Sequence, residues 1–134
     1  MRIADVMTSD LPSVASRDTV REAALRMTER KAKALPVCDD GRLVGIVTDW
    51  DVTRAVAEAD DAPGRPVGDY MSTDLVAVAP QTLLMDAAGV MAERQLHHLL
   101  VRDGDSFAGM VHLDIEWSRL GGMESPIPTF AAPI

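Results

Sequence analysis

The sequence predicts a mixed α/β (α+β) fold in which one β-α-β-β-α unit is used twice, and three observations predict it. The 134-residue chain repeats itself at one fixed spacing. Each copy passes from an apolar stripe of helical period to two short β-rich runs. A turn signal of the hairpin kind joins those runs.

The repeat comes first. Ile3-Ala4-Asp5-Val6-Met7 returns as Val67-Gly68-Asp69-Tyr70-Met71, an offset of 64 residues, the difference between Met71 and Met7. The offset holds without a gap through Ala23-Ala24 and Ala87-Ala88, Met27 and Met91, Leu35 and Leu99, Gly45 and Gly109, and Val47 and Val111. A single supersecondary unit cannot bury its own apolar face, so two copies are expected to share a core.

Within the first copy, Ser13-Val14-Ala15 reads as a short extended segment. A helix is expected over residues 19–31, because Val20, Ala23, Ala24 and Met27 fall on one stripe and Thr19 with Glu22 forms a capping-box pattern. Strands are expected over 35–38 and 43–47, with Asp39-Asp40-Gly41-Arg42 turning between them, and a second helix over 49–59. The second copy repeats this with a strand at 76–78, a helix over 83–94, strands at 98–102 and 107–111, and a helix over 113–120. The domain reading is therefore repeat one at 1–59, a linker at 60–66 rich in Asp, Pro and Gly, repeat two at 67–120, and a Pro/Gly-rich tail at 121–134.

Composition narrows the function classes. No apolar run approaches the roughly 20 residues that span a bilayer, so no membrane partner is expected. The opening Met1-Arg2-Ile3-Ala4-Asp5 lacks the basic-then-apolar pattern of a secretory signal, and a cytoplasmic protein is expected. A net charge of −8 opposes binding to nucleic acid. The single Cys38 reads as a small core hydrophobe. Arg21, Arg26, Arg30 and Lys31 read as a solvated helix face. No nucleophile, base and acid stand in a recognisable set, so no catalytic residue is assigned and the chain is read as a non-enzyme. No Cys or third His completes a zinc-like spacing around His97 and His98, and no metal is expected.

The element order, the repeat length and the strand-to-helix segment Gly45-Ile46-Val47-Thr48-Asp49-Trp50-Asp51 resemble the cystathionine-β-synthase (CBS) domain family, over residues of about 3–120. The resemblance implies two repeats related by a pseudo-twofold axis, with clefts between them for adenosine-containing ligands such as AMP, ATP, NAD or S-adenosylmethionine. It also implies association into a homodimer. Thr48 and Asp51 occupy the two positions of the Gly-x-x-Thr-x-x-Asp segment that serve phosphate and ribose in the family. A helix start favours a phosphate, and a carboxylate accepts from two ribose hydroxyls. The same pair also fits a capping box. The resemblance places the adenine against Ile46, Leu75, Val76 and Leu96, which fit a core equally well, and aims His97 and His98 at phosphates. Lys33 stands where His97 does in the other copy.

The second copy departs from the pattern, with His112 in place of the threonine and Ile115 in place of the acid. Asp114, one residue early, is rotated by about 100° on a helix. Weak binding, or a cleft filled by side chains, is expected there. The leading expectation is a stand-alone regulatory module that signals a bound nucleotide to a partner protein. The alternative is a dimerising scaffold whose clefts hold no ligand.

Overall fold

The computed structural model describes residues 1–112. The helix expected over 113–120, with Asp114 and Ile115, and the tail from Gly121 lie outside the described residues. In chain order the elements are α1 (Val20–Arg30), β1 (Ala34–Asp39), β2 (Arg42–Thr48), α2 (Asp49–Glu58), β3 (Ala77–Val78), α3 (Leu84–Arg94), β4 (His98–Asp103) and β5 (Ser106–His112). Short 3-10 turns lie at Ile3–Asp5, Ala62–Gly64 and Val67–Asp69. The fold class is the expected one, and the element order follows the expected repeat from α1 to β5.

The chain divides into two compact units. One comprises residues 10–75 and 105–107; the other comprises residues 1–9 and 76–104 and continues from 108. The units therefore recombine the sequence copies, because the opening segment of each copy packs on the body of the other.

In the unit built on residues 10–75, the Thr19 hydroxyl accepts from Glu22 N at 3.1 Å and starts α1. Only this half of the expected capping box is formed. Lys31 closes the helix in the left-handed region at φ 53°, and Ala32 N reaches back to Met27 O at 2.9 Å. The stripe Val20, Ala23 and Met27 is buried, and Ala23 and Met27 pack with Val14, Leu35, Val37 and Val47. Each such aliphatic side chain contributes about 1.5–3 kcal/mol on burial. Strands β1 and β2 pair antiparallel from Ala34↔Thr48 to Asp39↔Arg42. Asp40 and Gly41 both have positive φ, which makes the two-residue turn that matches strand twist. Ser13-Val14-Ala15 forms only a single parallel bridge, Val14 to Val37, rather than a strand. The composition-based linker is packed: Ala62 is fully buried beside Val20, Ala55 and Tyr70, and Val20 N donates to Arg65 O at 2.9 Å. Val67 N to Asp18 O (2.7 Å) and Gly68 N to Ser16 O (2.8 Å) hold the following segment.

The other unit has the same local design. Ile3 N donates to Thr82 O at 2.8 Å and Ala4 N to Pro80 O at 3.0 Å, each 64 residues from its counterpart bond. Ile3, Ala87, Met91, Leu99, Val101 and Val111 form its core. Gln95 ends α3 at φ 53°, as Lys31 ends α1. β3 pairs parallel with β4 through Ala77↔Leu100 and Val78↔Val101, and β4 lies between β3 and β5. No helix among the described residues is long and apolar enough to cross a membrane.

Candidate functional site

The corner between β2 and α2 carries the most site-directed chemistry. β2 alternates buried and half-buried residues, and Gly45 lies where residues 71–72 pass across it. Ile46 and Ser72 exchange both backbone bonds, at 3.0 and 2.9 Å. A Cβ on Gly45 would stand 2.7 Å from Met71 Sδ and 3.0 Å from Ser72 O, so a side chain here would push the crossing segment away.

Thr48 then ends the strand and caps the helix. Its backbone N–H donates to Asp51 Oδ2 at 2.8 Å, its hydroxyl lies 3.1 Å from the same oxygen, and Asp51 N donates to the hydroxyl at 3.3 Å. The full capping box is present. Asp51 Oδ1 faces Arg54 Nη2 at 3.5 Å, and the carboxylate is only 14% exposed. Arg54 in turn donates to Tyr70 O at 3.2 Å and lies over the Tyr70 ring.

The first three backbone donors of α2 all have acceptors. Asp49 N donates to Lys33 O at 2.9 Å, Trp50 N to Asp49 Oδ1 at 2.8 Å, and Asp51 N to Thr48 Oγ1. A phosphate arriving at this helix end would have to displace the Asp49 carboxylate, whose charge already complements the dipole. The corner is therefore a closed cap, better arranged to present Asp51 than to receive an anion. Two features of it escaped sequence reasoning: Arg54 as the partner of Asp51, and Asp49 as an occupant of the anion position. An i,i+3 acid–base spacing was the signal for the first.

The expected site residues divide between the units. Ile46, Thr48, Asp51 and Leu75 belong to one, while Val76, Leu96, His97 and His98 belong to the other. Ile46, Leu75, Val76 and Leu96 are half-buried, His98 is half-buried, and His97 is exposed. His98 Nε2 lies 3.1 Å from His112 Nδ1, a pairing that sequence reasoning missed. The offset of 64 would have found it, since His98 and His112 stand at Ala34 and Thr48, which pair across the first hairpin. Lys33 is exposed and serves α2 through its carbonyl.

Other expectations are refined. Arg26 Nη1 donates to Ser13 O at 2.6 Å and lies 3.6 Å from Asp18, and Arg30 donates to Asp10 O, so both pin the 10–18 segment rather than only facing solvent. Cys38 is half-buried, and burial followed by the neighbouring Asp39 charge pushes its thiol up, against a thiolate nucleophile.

Comparison with known proteins agrees with this architecture. A sequence model of the CBS domain matches twice, at residues 3–58 and 67–114. The chain belongs to the CBS-domain family, as a tandem pair. It is similar to the CBS domain-containing protein YhcV of Bacillus subtilis, 36% identical over 112 residues, covering 83% of this chain and 79% of that one. It also resembles the arabinose 5-phosphate isomerase KdsD of Yersinia pestis at 34% identity over 84% of this chain, which spans only 35% of the isomerase. Among solved structures, a putative acetoin utilization protein (AcuB) from Vibrio cholerae superimposes with a TM-score of 0.79 at 26% identity, covering 84% of each chain. CBSX2, a CBS-pair protein from Arabidopsis thaliana whose structure in complex with AMP is known, gives 0.74 at 30% identity over 83% of this chain and 89% of that one.

Proposed function

We propose that this chain is a regulatory CBS pair that binds an adenosine-containing ligand and passes its bound state to a partner protein. The observation that carries the reading is the Thr48–Asp51 corner, in a chain 30% identical to a CBS-pair protein crystallised with AMP. Asp51 is fixed by Thr48 through Oδ2, which leaves Oδ1 to exchange Arg54 for the hydroxyls of a ribose. Ile46 and Leu75 supply apolar surface for the base. Val76, Leu96, His97 and His98 are assigned to the same ligand by family resemblance. AMP, ATP, NAD and S-adenosylmethionine are the candidate ligands, and a ligand shifts the module only through different affinities for its states.

Calorimetry with these four compounds tests the reading. At least one is expected to bind below about 1 mM, and Asp51→Ala is expected to weaken it at least about tenfold, the loss of a charge-assisted hydrogen bond. Absence of binding by all four, or unchanged affinity in the variant, overturns the assignment. Native mass spectrometry of gently purified protein would identify a retained ligand by mass.

A second reading, an interaction scaffold that dimerises without a ligand, is favoured by one observation. Trp50 (68% exposed) and Val56 (63% exposed) project from α2. It predicts a homodimer in sedimentation that Trp50→Ala with Val56→Ser disrupts, and a melting temperature that no nucleotide moves.

A further inference from the structure

The second copy departs from the ligand-binding pattern at His112, and its end of the hairpin has a chemistry of its own. β4 begins at His98 and β5 ends at His112, and the strands are neighbours joined by a tight turn at Gly104. Such a short connection makes them antiparallel, so the first and last residues meet at one end. The imidazoles stand with ring centroids 4.7 Å apart and planes tilted by 39°, and His98 Nε2 lies 3.1 Å from His112 Nδ1.

We propose that His98 and His112 form a two-imidazole site for a borderline divalent transition metal, of the Zn²⁺, Ni²⁺ or Co²⁺ class. Metal–nitrogen bonds of about 2.0–2.1 Å put two imidazole nitrogens of one metal about 2.9 Å apart at a right angle and about 3.4 Å apart at a tetrahedral angle. The observed separation falls inside that interval. Both ligands are short side chains on paired strands, so little conformational freedom is lost in bringing them together. Between two neutral rings, the close approach requires one N–H to point at the other ring's lone pair. A metal takes the place of that proton, which moves to the other nitrogen of its own ring. Imidazole selects this class of metals over Mg²⁺ and Ca²⁺, which prefer oxygen.

Among the described residues, no third His, Cys, Asp or Glu joins the pair. This assignment shares His98 with the nucleotide reading but uses neither Thr48 nor Asp51, so Asp51→Ala, which weakens the nucleotide, is expected to leave Zn²⁺ affinity unchanged.

Titration of tag-free, full-length protein with Zn²⁺, followed by calorimetry and by imidazole ¹⁵N NMR, tests the proposal. Saturable binding is expected with resonance changes at His98 Nε2 and His112 Nδ1, and none with Mg²⁺. His98→Ala and His112→Ala are each expected to weaken Zn²⁺ binding at least about tenfold, since even the loss of an outer partner has that effect. The NMR of the unaltered protein decides the question even where a variant fails to fold. No saturable binding below about 1 mM overturns the site. So does unchanged affinity in folded variants, or Zn²⁺ shifts confined to His97.

Discussion

The ends of β2 and β5, 64 residues apart, start from the same hairpin position and finish in different chemistry. β2 ends at Thr48, whose hydroxyl and N–H engage Asp51, and the corner presents a fixed carboxylate. β5 ends at His112, which meets His98 across the hairpin. The close crossing over each second strand is kept in both. Gly45 and Gly109 each lie under a crossing methionine, Met71 and Met7, whose sulfur would stand 2.7 Å from an added Cβ. The Ile46–Ser72 pair has its counterpart in Met110–Thr8, with bonds of 2.8 and 2.9 Å. The close crossings over Gly45 and Gly109 hold the backbone in both copies, while the residue that ends the strand differs.

That equivalence is easiest to break in the core. Leu35 and Leu99 stand 64 residues apart, and both are fully buried. Leu35→Ala and Leu99→Ala are each expected to cost about 2–5 kcal/mol in chemical denaturation, for lost transfer energy plus a residual cavity. If one costs less than about 1 kcal/mol, the two copies are not built on the same core. Next in size are Gly45→Ala and Gly109→Ala, at about 1–3 kcal/mol each, because a backbone carbonyl as well as a flexible thioether must give way. Closely similar losses support the shared backbone, whereas a neutral Gly109→Ala would show that residues 7–8 can move where residues 71–72 cannot.

The caps sharpen the comparison within one unit. Thr48 serves a reciprocal box with Asp51, whereas Thr19 accepts only the single bond from Glu22. Thr48→Ala is therefore expected to lower stability by about 1–2 kcal/mol and Thr19→Ala by about 0.5–1 kcal/mol. Thermal melts in the presence and absence of nucleotide separate cap from ligand contact at Thr48. Equal losses for the two variants would show that the additional approach of the Thr48 hydroxyl to Asp51 Oδ2 contributes nothing.

How much of this was legible follows from what the sequence signals act on. The helices and hairpins were readable because Val20, Ala23 and Met27, and then Asp40-Gly41, encode local geometry directly. The Thr48–Asp51 pairing was readable for the same reason, as a three-residue spacing. The exchange of opening segments was not, because Ile3 bonding to Thr82 and Val67 bonding to Asp18 are long-range choices that a repeat leaves open. The burial of Ala62 was hidden by neighbours whose composition reads as linker. Arg54 and Asp49 were missed at the corner because their roles depend on rotamers, which periodicity does not report.

The smallest expected effect compares Asp39 with Asp103, its counterpart at the offset of 64. Asp39 accepts from the Ser16 hydroxyl at 2.6 Å and from Ser16 N at 2.9 Å, and these bonds, the hydroxyl first, hold its carboxyl below the usual range. At the position equivalent to Ser16 the second copy has Pro80, which offers neither donor. A carboxyl whose value is lower in the folded than in the unfolded state stabilises the fold above the ordinary value of about 3.9, and the gain is lost as pH falls through the depressed folded value. Ser16→Ala is thus expected to cost about 1 kcal/mol near neutral pH, with the difference from the unaltered protein shrinking in acid. Asp103→Asn, on an exposed strand end, is expected to stay within about 0.5 kcal/mol at either pH. Urea midpoints measured across the acid range check both, and a Ser16→Ala deficit that stays constant into acid would show that packing, not the carboxylate, sets the cost.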